Sequence, residues 1–451
     1  MNVEGLIEIF MGHVGLGLMA ALIFGVGCFI FIRFQKRKGN WRLTQLAATG
    51  ALVFCLIIIF GAVFFIRGTS EHRDFLWMPF AEYREAWHHF TAVNWRNLIL
   101  NILMFVPVGF LLPLVSERFK RRKWAFAAVF SLTIFIELIQ FIFGLGLAAT
   151  DDAINNALGG MIGHGLVMSL ITLKKREAKI AGHLLPLGIT LLAFALIFGT
   201  YELQEFGNSP LNHYDRLNME QAKITGTTAL ETERPLVGIY QMERFSRQEL
   251  DDFAEAFLNQ IGDPLRDSMR LFVYDTLIIY HTQLGNQLQV NFEGKAFRYL
   301  NWSDGEHFTL DGEEISEALG FLLQELPPYE KILELGDGKY AFYFDHRDGA
   351  VWTVGALNVQ TDEASVIRLI QNHVKALNLV GEREALSQQE ALKRIQQGRF
   401  MAPRHHGDIR TLEIRGVSLQ RTVDSKGFYR PVHVFETLLN GEEWNIQILA
   451  Y

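Results

Sequence analysis

Glu137 and Gln140 stand three residues apart in an otherwise uncharged apolar run, and that pair is the first chemistry the sequence offers. At that spacing both side chains share one helix face. A carboxylate in hydrocarbon costs several kcal/mol unless it is protonated, paired or facing a polar cavity. Two further runs open on polar residues: one on Asn97 and Asn101, the other on Asp151, Asp152, Asn155 and Asn156. Asp152, Asn156, Gly159 and Gly163 fall at i, i+4, i+7 and i+11, one stripe of a helix. Asn101, Glu137, Gln140, Asp152 and Asn156 are therefore the candidate ligand-binding set, able to hydrogen-bond a polar headgroup. In a catalytic reading, Glu137 is the general acid and Asp152, nearer water, its ionised partner. A third use is open as well: interhelical Asn, Gln and Asp hold bundles together. Asp151 or Asp152 also suits the N-cap of its own helix.

Six apolar runs must position these groups, near 9–32, 47–66, 97–115, 124–146, 153–173 and 183–200. Each is long enough, or nearly so, to cross about 30 Å of hydrocarbon as a helix. Pro107 interrupts the backbone hydrogen bonds of the third run and predicts a kink. Gly159 and Gly163 allow a neighbouring helix to approach closely. Alternate loops carry the basic residues: Arg33 to Arg42, Arg118 to Lys123, and Lys174 to Lys179. The positive-inside rule places those loops in the cytoplasm, which puts both termini and residues 201–451 outside. Glu137 then lies roughly 13 Å below the outer surface at 1.5 Å per residue. Trp77, Trp87 and Trp95, in the external loop 67–96, suit an interfacial position.

The chain has 451 residues and a net charge of −7. Residues 1–200 hold 18 Lys and Arg against 11 Asp and Glu; residues 201–451 hold 24 against 38. A basic membrane part is thus joined to an acidic one. An apolar content of 49% excludes disorder and a fibrous repeat, and the absence of strong basicity argues against nucleic acid. Cys28 and Cys55 both lie in apolar runs, which excludes a disulfide framework and any multi-cysteine metal site. The pairs His88-His89 and His405-His406 lack a third ligand at metal spacing, so neither a metal nor a cofactor is expected. Glu4 and Glu8, with no basic residue ahead of the first run, argue against a cleaved signal peptide.

The segment from Asn97 to Gly163 resembles the VanZ-like membrane family. Three blocks carry the resemblance: Asn101, Phe105, Pro107 and Gly109; Glu137-Leu-Ile-Gln140; and Asp152, Asn156, Gly159 and Gly163. They occur in order within a core of about 45–175. The family is named for a teicoplanin-resistance protein, so the resemblance implies a cell-envelope membrane protein linked to susceptibility to glycopeptide antibiotics. The family usually carries an Arg and another Asp ahead of the third block. Here the stretch reads GLGLAATDD, with Ala149 at the acidic position and no Arg.

Residues 201–451 read as an α+β domain with antiparallel sheets. A strand precedes an amphipathic helix from Ser246, with Leu250, Phe253, Phe257 and Ile261 on one face. Hairpins turn at Gly285-Asn286, Asp348-Gly349 and Asn440-Gly441. Helices are expected near 363–377 and 387–397. From about 350 the order of elements resembles PepSY-like and YycI-type extracytoplasmic domains, on the Ser-Gln-Gln-Glu-Ala-Leu helix and Arg430 to Phe435. GxSxG, SxxK and P-loop motifs are absent.

The expected fold is a bundle of six transmembrane helices, residues 1–200, followed by the extracytoplasmic α+β domain, residues 201–451. Three functions fit it. A non-enzymatic envelope protein would bind a membrane lipid headgroup, a lipid-linked envelope precursor or an amphiphilic antibiotic at the outer-leaflet polar site. A sensor would use the outer domain and a membrane signalling partner. An intramembrane enzyme would act on an envelope lipid through Glu137.

Overall fold

The computed structural model describes residues 43–65, 75–144, 148–176, 180–212, 216–226, 229–266, 272–273, 276–303, 308, 315–403 and 408–451. The span expected near 9–32, with the basic loop after it, lies outside these residues, as does His405-His406. The chain divides into two compact units between Glu205 and Phe206.

The first unit holds α1 (Leu43–Phe65), β1 (Phe75–Leu76), α2 (Ala81–His89), α3 (Ala92–Val115), α4 (Arg122–Phe143), β2 (Ala148–Ala149), α5 (Thr150–Lys174) and α6 (Ile180–Leu203). Five of these helices, all but α2, are long and apolar enough to cross a membrane. Their exposed surfaces are apolar: Leu103 on α3, Phe130 and Leu138 on α4, and Leu191, Leu192 and Leu196 on α6. Such surfaces fit lipid rather than water. α3 continues through Pro107 and Pro113, with Pro107 on its exposed side. α4 stops at Gly144, whose φ of 64° is the left-handed conformation that ends helices at low strain.

α5 is the central helix, packed against α3, α4 and α6. Its contact with α3 is backbone to backbone. A Cβ on Gly109 would stand 1.8 Å from the Gly160 carbonyl oxygen, and one on Gly159 or Gly163 would stand 1.9 Å from the carbonyl of Ile102 or Val106. No side chain fits at any of the three positions. Phe105 fills the next layer, fully buried with Ile59 of α1 and Val129 and Ile136 of α4.

Trp95 differs from its expected place at the membrane surface. It is 4% exposed and packs among Phe90, Phe194 and Phe198. Trp77 is 76% exposed.

In the second unit the strands are β3 (Lys223–Gly226), β4 (Leu236–Met242), β5 (Phe272–Val273), β6 (Leu277–His281), β7 (Gln287–Asn291), β8 (Phe297–Leu300), β9 (Lys331–Glu334), β10 (Lys339–Asp348), β11 (Val351–Thr361), β12 (Ile367–Asn372), β13 (Lys375–Glu384), β14 (Thr411–Val423), β15 (Phe428–Leu439) and β16 (Glu442–Leu449). Helix α7 (Arg247–Gln260) lies between β4 and β5, α8 (Ile315–Ala318) and α9 (Gly320–Leu323) between β8 and β9, and α10 (Gln388–Gln396) between β13 and β14. The strands form one mostly antiparallel sheet; among the described residues only β3 on β14 is parallel. The three expected hairpins are present as β6/β7, β10/β11 and β15/β16. Asn440 and Gly441 turn the last with φ of 51° and 91°, both positive as the right-handed strand twist requires.

Two helices begin on capping boxes, Ser246 with Glu249 and Ser387 with Glu390. Leu250, Ala254 and Leu258 of α7 are fully buried against Ile278, Leu288 and Tyr299. Each such leucine contributes about 2 kcal/mol on leaving water. A second core gathers Ala391 and Ile395 of α10 with Leu412, Phe435 and Ile446.

The helix expected near 363–377 is instead two strands, β12 and β13. Val366, Ile370, Val374 and Leu377 imitate a helical stripe because a tight turn resets the strand alternation between them. The Asn372 side chain makes that turn by accepting from the Val374 N–H at 3.1 Å.

Candidate functional site

The polar residues of the three spans meet between α3, α4 and α5. Asn101 on α3 donates its side-chain amide to the Asp152 carboxylate on α5. Asn156, one turn further along α5, donates to the Thr133 hydroxyl on α4 at 2.8 Å. The Glu137 carboxylate accepts from the backbone N–H of Ala149 at 3.1 Å. Rising residue numbers on α4 thus meet falling numbers on α5, so the two helices run antiparallel. One turn on from the Thr133–Asn156 rung stand Glu137 and Asp152. Both are 5% exposed, and Gln140 is 1% exposed.

Hydrogen bonding in the site is incomplete. Neither amide atom of Gln140 has a partner, nor does the side-chain oxygen of Asn156 or the side-chain nitrogen of Asn155. A buried polar atom left unmet costs about 1–3 kcal/mol. Four such atoms lie on Gln140 of α4 and on Asn155 and Asn156 of α5.

Asp151 does not cap its own helix. The N-cap of α5 is Ala149, with no side-chain cap. Asp151 instead accepts from the backbone N–H groups of Phe80 and Glu82, at 2.5 and 2.8 Å. These are orphan donors at the start of α2, whose own N-cap, Phe80, provides no side-chain bond. Tyr83 of α2 donates to the Asn155 side-chain oxygen at 2.5 Å. Burial, then the charges of Asp151 and Glu82, push the Tyr83 phenol up to about 12, so it remains a neutral donor. The Thr150 hydroxyl donates to the Trp77 carbonyl at 3.1 Å, and β1 pairs with β2 in parallel. Residues 75–89 are thereby fastened over the start of α5 as a cover. Both flanks of α2, Phe80 and Phe90, are in the left-handed region at φ 62° and 45°, a strained conformation for phenylalanine.

Sequence reasoning missed Thr133, Tyr83, and the use of Asp151 and Asn155. Thr133 had a signal, since it lies four residues before Glu137 on the same face. Tyr83 had none, because its partner is 72 residues away. His89 ends α2, and among the described residues no three His, Cys, Asp or Glu side chains gather to hold a metal.

The VanZ/LLP1 family model matches residues 46–172. Protein VanZ of Enterococcus faecium is 38% identical over 120 residues, which cover 25% of this chain and 69% of that protein. Among solved structures, an uncharacterized protein from Eubacterium rectale is 12% identical, covering 51% of this chain and 89% of its own, with a TM-score of 0.28. The YpeB C-terminal domain of Bacillus megaterium is 11% identical, covering 46% and 94%, with a TM-score of 0.19. Likenesses that low carry nothing about the fold of the sheet unit. The sequence match is of another order: it contains all three motif blocks and the residues that meet in the polar site, and by it the chain belongs to the VanZ/LLP1 family.

Proposed function

We propose that the protein acts in the bacterial cell envelope by binding the polar head of an amphiphile between α3, α4 and α5. The amphiphile is a membrane lipid, a lipid-linked envelope precursor or a glycopeptide-type drug. Binding at this site lowers susceptibility to teicoplanin-like antibiotics without a chemical step. One observation carries the reading: Gln140 is buried with both amide atoms unmet, one helical turn from the buried Glu137 on α4. A ligand bearing hydroxyl or amide groups supplies the missing bonds. The basic loop Arg118 to Lys123 supports an orientation with this site in the outer half of the membrane and residues 201–451 outside the cell.

The test is Glu137→Gln in a susceptible host, with expression and membrane insertion checked. Protection against teicoplanin should be lost while the protein accumulates normally. Full protection in that variant sinks the site assignment. Lipid mass spectrometry of overexpressing cells tests the absence of chemistry, and a new envelope lipid species would replace binding with catalysis.

A further inference from the structure

A second site lies in the helical unit, and it does not rest on the polar cluster. α5 packs on both α4 and α6, so it floors a groove whose walls are those two helices. The groove measures about 460 Å³, within the range of small-molecule sites. Phe126 and Phe130 on α4, Leu158 and Met161 on α5, and Leu185 and Ile189 on α6 make it almost wholly apolar. Arg122 is the one charged residue on its lining.

The chemistry at the Arg122 end is that of an anion's partner. Arg122 donates to the Gly182 carbonyl at 2.7 Å, a neutral acceptor. Arg121 and Lys123 flank Arg122 in sequence, and Arg118 stacks on Trp124 at 3.8 Å. An apolar channel on a membrane helix bundle that ends in a basic cluster has the charge pattern of an anionic lipid upside down: chain against chain, phosphate against guanidinium.

We propose that this groove holds an acyl chain of an anionic phospholipid, with its phosphate bound by Arg122. The occupant belongs to the leaflet on the side of the Arg118 to Lys123 loop.

The full-length protein, reconstituted in nanodiscs of equal phosphatidylglycerol and phosphatidylethanolamine and then released into mild detergent, reports this by native mass spectrometry. Wild type should retain phosphatidylglycerol over phosphatidylethanolamine by about fivefold, the effect of one basic contact near a membrane surface. Arg122→Gln should bring the ratio close to one, and Lys331→Gln, on β9 of the sheet unit, should leave it unchanged. Leu158→Trp, which fills the groove, should lower retention of both lipids. Equal retention by the wild type overturns the proposal. So does an unchanged ratio in Arg122→Gln, or undiminished retention in Leu158→Trp.

Discussion

Each unit buries a cluster of Asp, Asn and aromatic or hydroxyl side chains, and the two clusters are finished differently. In the sheet unit, Asn286 is fully buried and donates to Asp263 and the Tyr299 hydroxyl at 2.8 and 3.2 Å. Its oxygen accepts from the backbone of Trp302 and Ser303 at 2.8 and 3.0 Å. Tyr299 also donates to Asp263 at 2.9 Å, and burial followed by the Asp263 charge raises its phenol well above the usual range. Asn286 is saturated, and it braces a turn. In the helical unit, Gln140 is equally buried and makes no side-chain bond. A satisfied buried amide contributes stability, and an unsatisfied one subtracts it. The same residue types thus brace a turn in one unit and are left with unmet bonds in the other.

The comparison can be broken from either side. The largest effect is expected from Gly159→Leu, whose side chain must displace the Ile102 carbonyl. It should cost more than about 4 kcal/mol and abolish monodisperse protein in size-exclusion chromatography. Normal yield would mean that the polar residues are not positioned by the α3–α5 backbone contact. Next comes Asn286→Leu, which strips partners from Asp263, Tyr299 and two backbone N–H groups. A loss of about 3 kcal/mol in denaturant unfolding is expected, and a neutral result would end the description of that cluster as a brace.

Asp151→Ala should cost about 1–2 kcal/mol, as lost helix caps do. The loss should be read locally, as faster amide hydrogen exchange across 81–89. Gln140→Leu should change stability by less than about 1 kcal/mol, because no partner loses a bond. Teicoplanin protection should nevertheless disappear. A strongly destabilised Gln140→Leu protein would show that Gln140 is a structural member after all.

The smallest effect is a pH dependence in the sheet unit. The Arg234 hydrogen bond, then the Ser387 backbone N–H, hold the Glu390 carboxyl down from 4.5 to about 2. A lowered carboxyl contributes stability above its unfolded value and loses it as pH falls toward its folded one. Between pH 4.5 and 2 the wild type should therefore lose stability faster than Glu390→Gln, with the two acid-unfolding curves converging. Parallel curves would contradict the ion pair.

Local pattern made most of the architecture legible. Apolar runs located five helices, although α3 to α6 begin earlier than the runs because polar first turns such as Ala92–Arg96 belong to the helix. Helical spacing placed Asp152, Asn156, Gly159 and Gly163 on one stripe of α5 with room for a close neighbour, but that the neighbour is α3 and that Asn101 bonds Asp152 is seen only in the structure. What stayed hidden depended on distant chain. Asp151 looked like a cap for the helix it begins, and no periodicity reveals that it serves a helix about seventy residues earlier. Trp95 read as an interface anchor because two of the three phenylalanines that enclose it, Phe194 and Phe198, come from α6.

The cap that Asp151 places on α2 also has a consequence in time. A nine-residue helix is too short to persist alone in water. The residue that completes α2 leaves the ribosome only after α3 and α4 have been made. During biosynthesis α2 must therefore wait, unformed, while two later helices and the first turn of a third are delivered, and the order in which this bundle matures is not the order in which it is written.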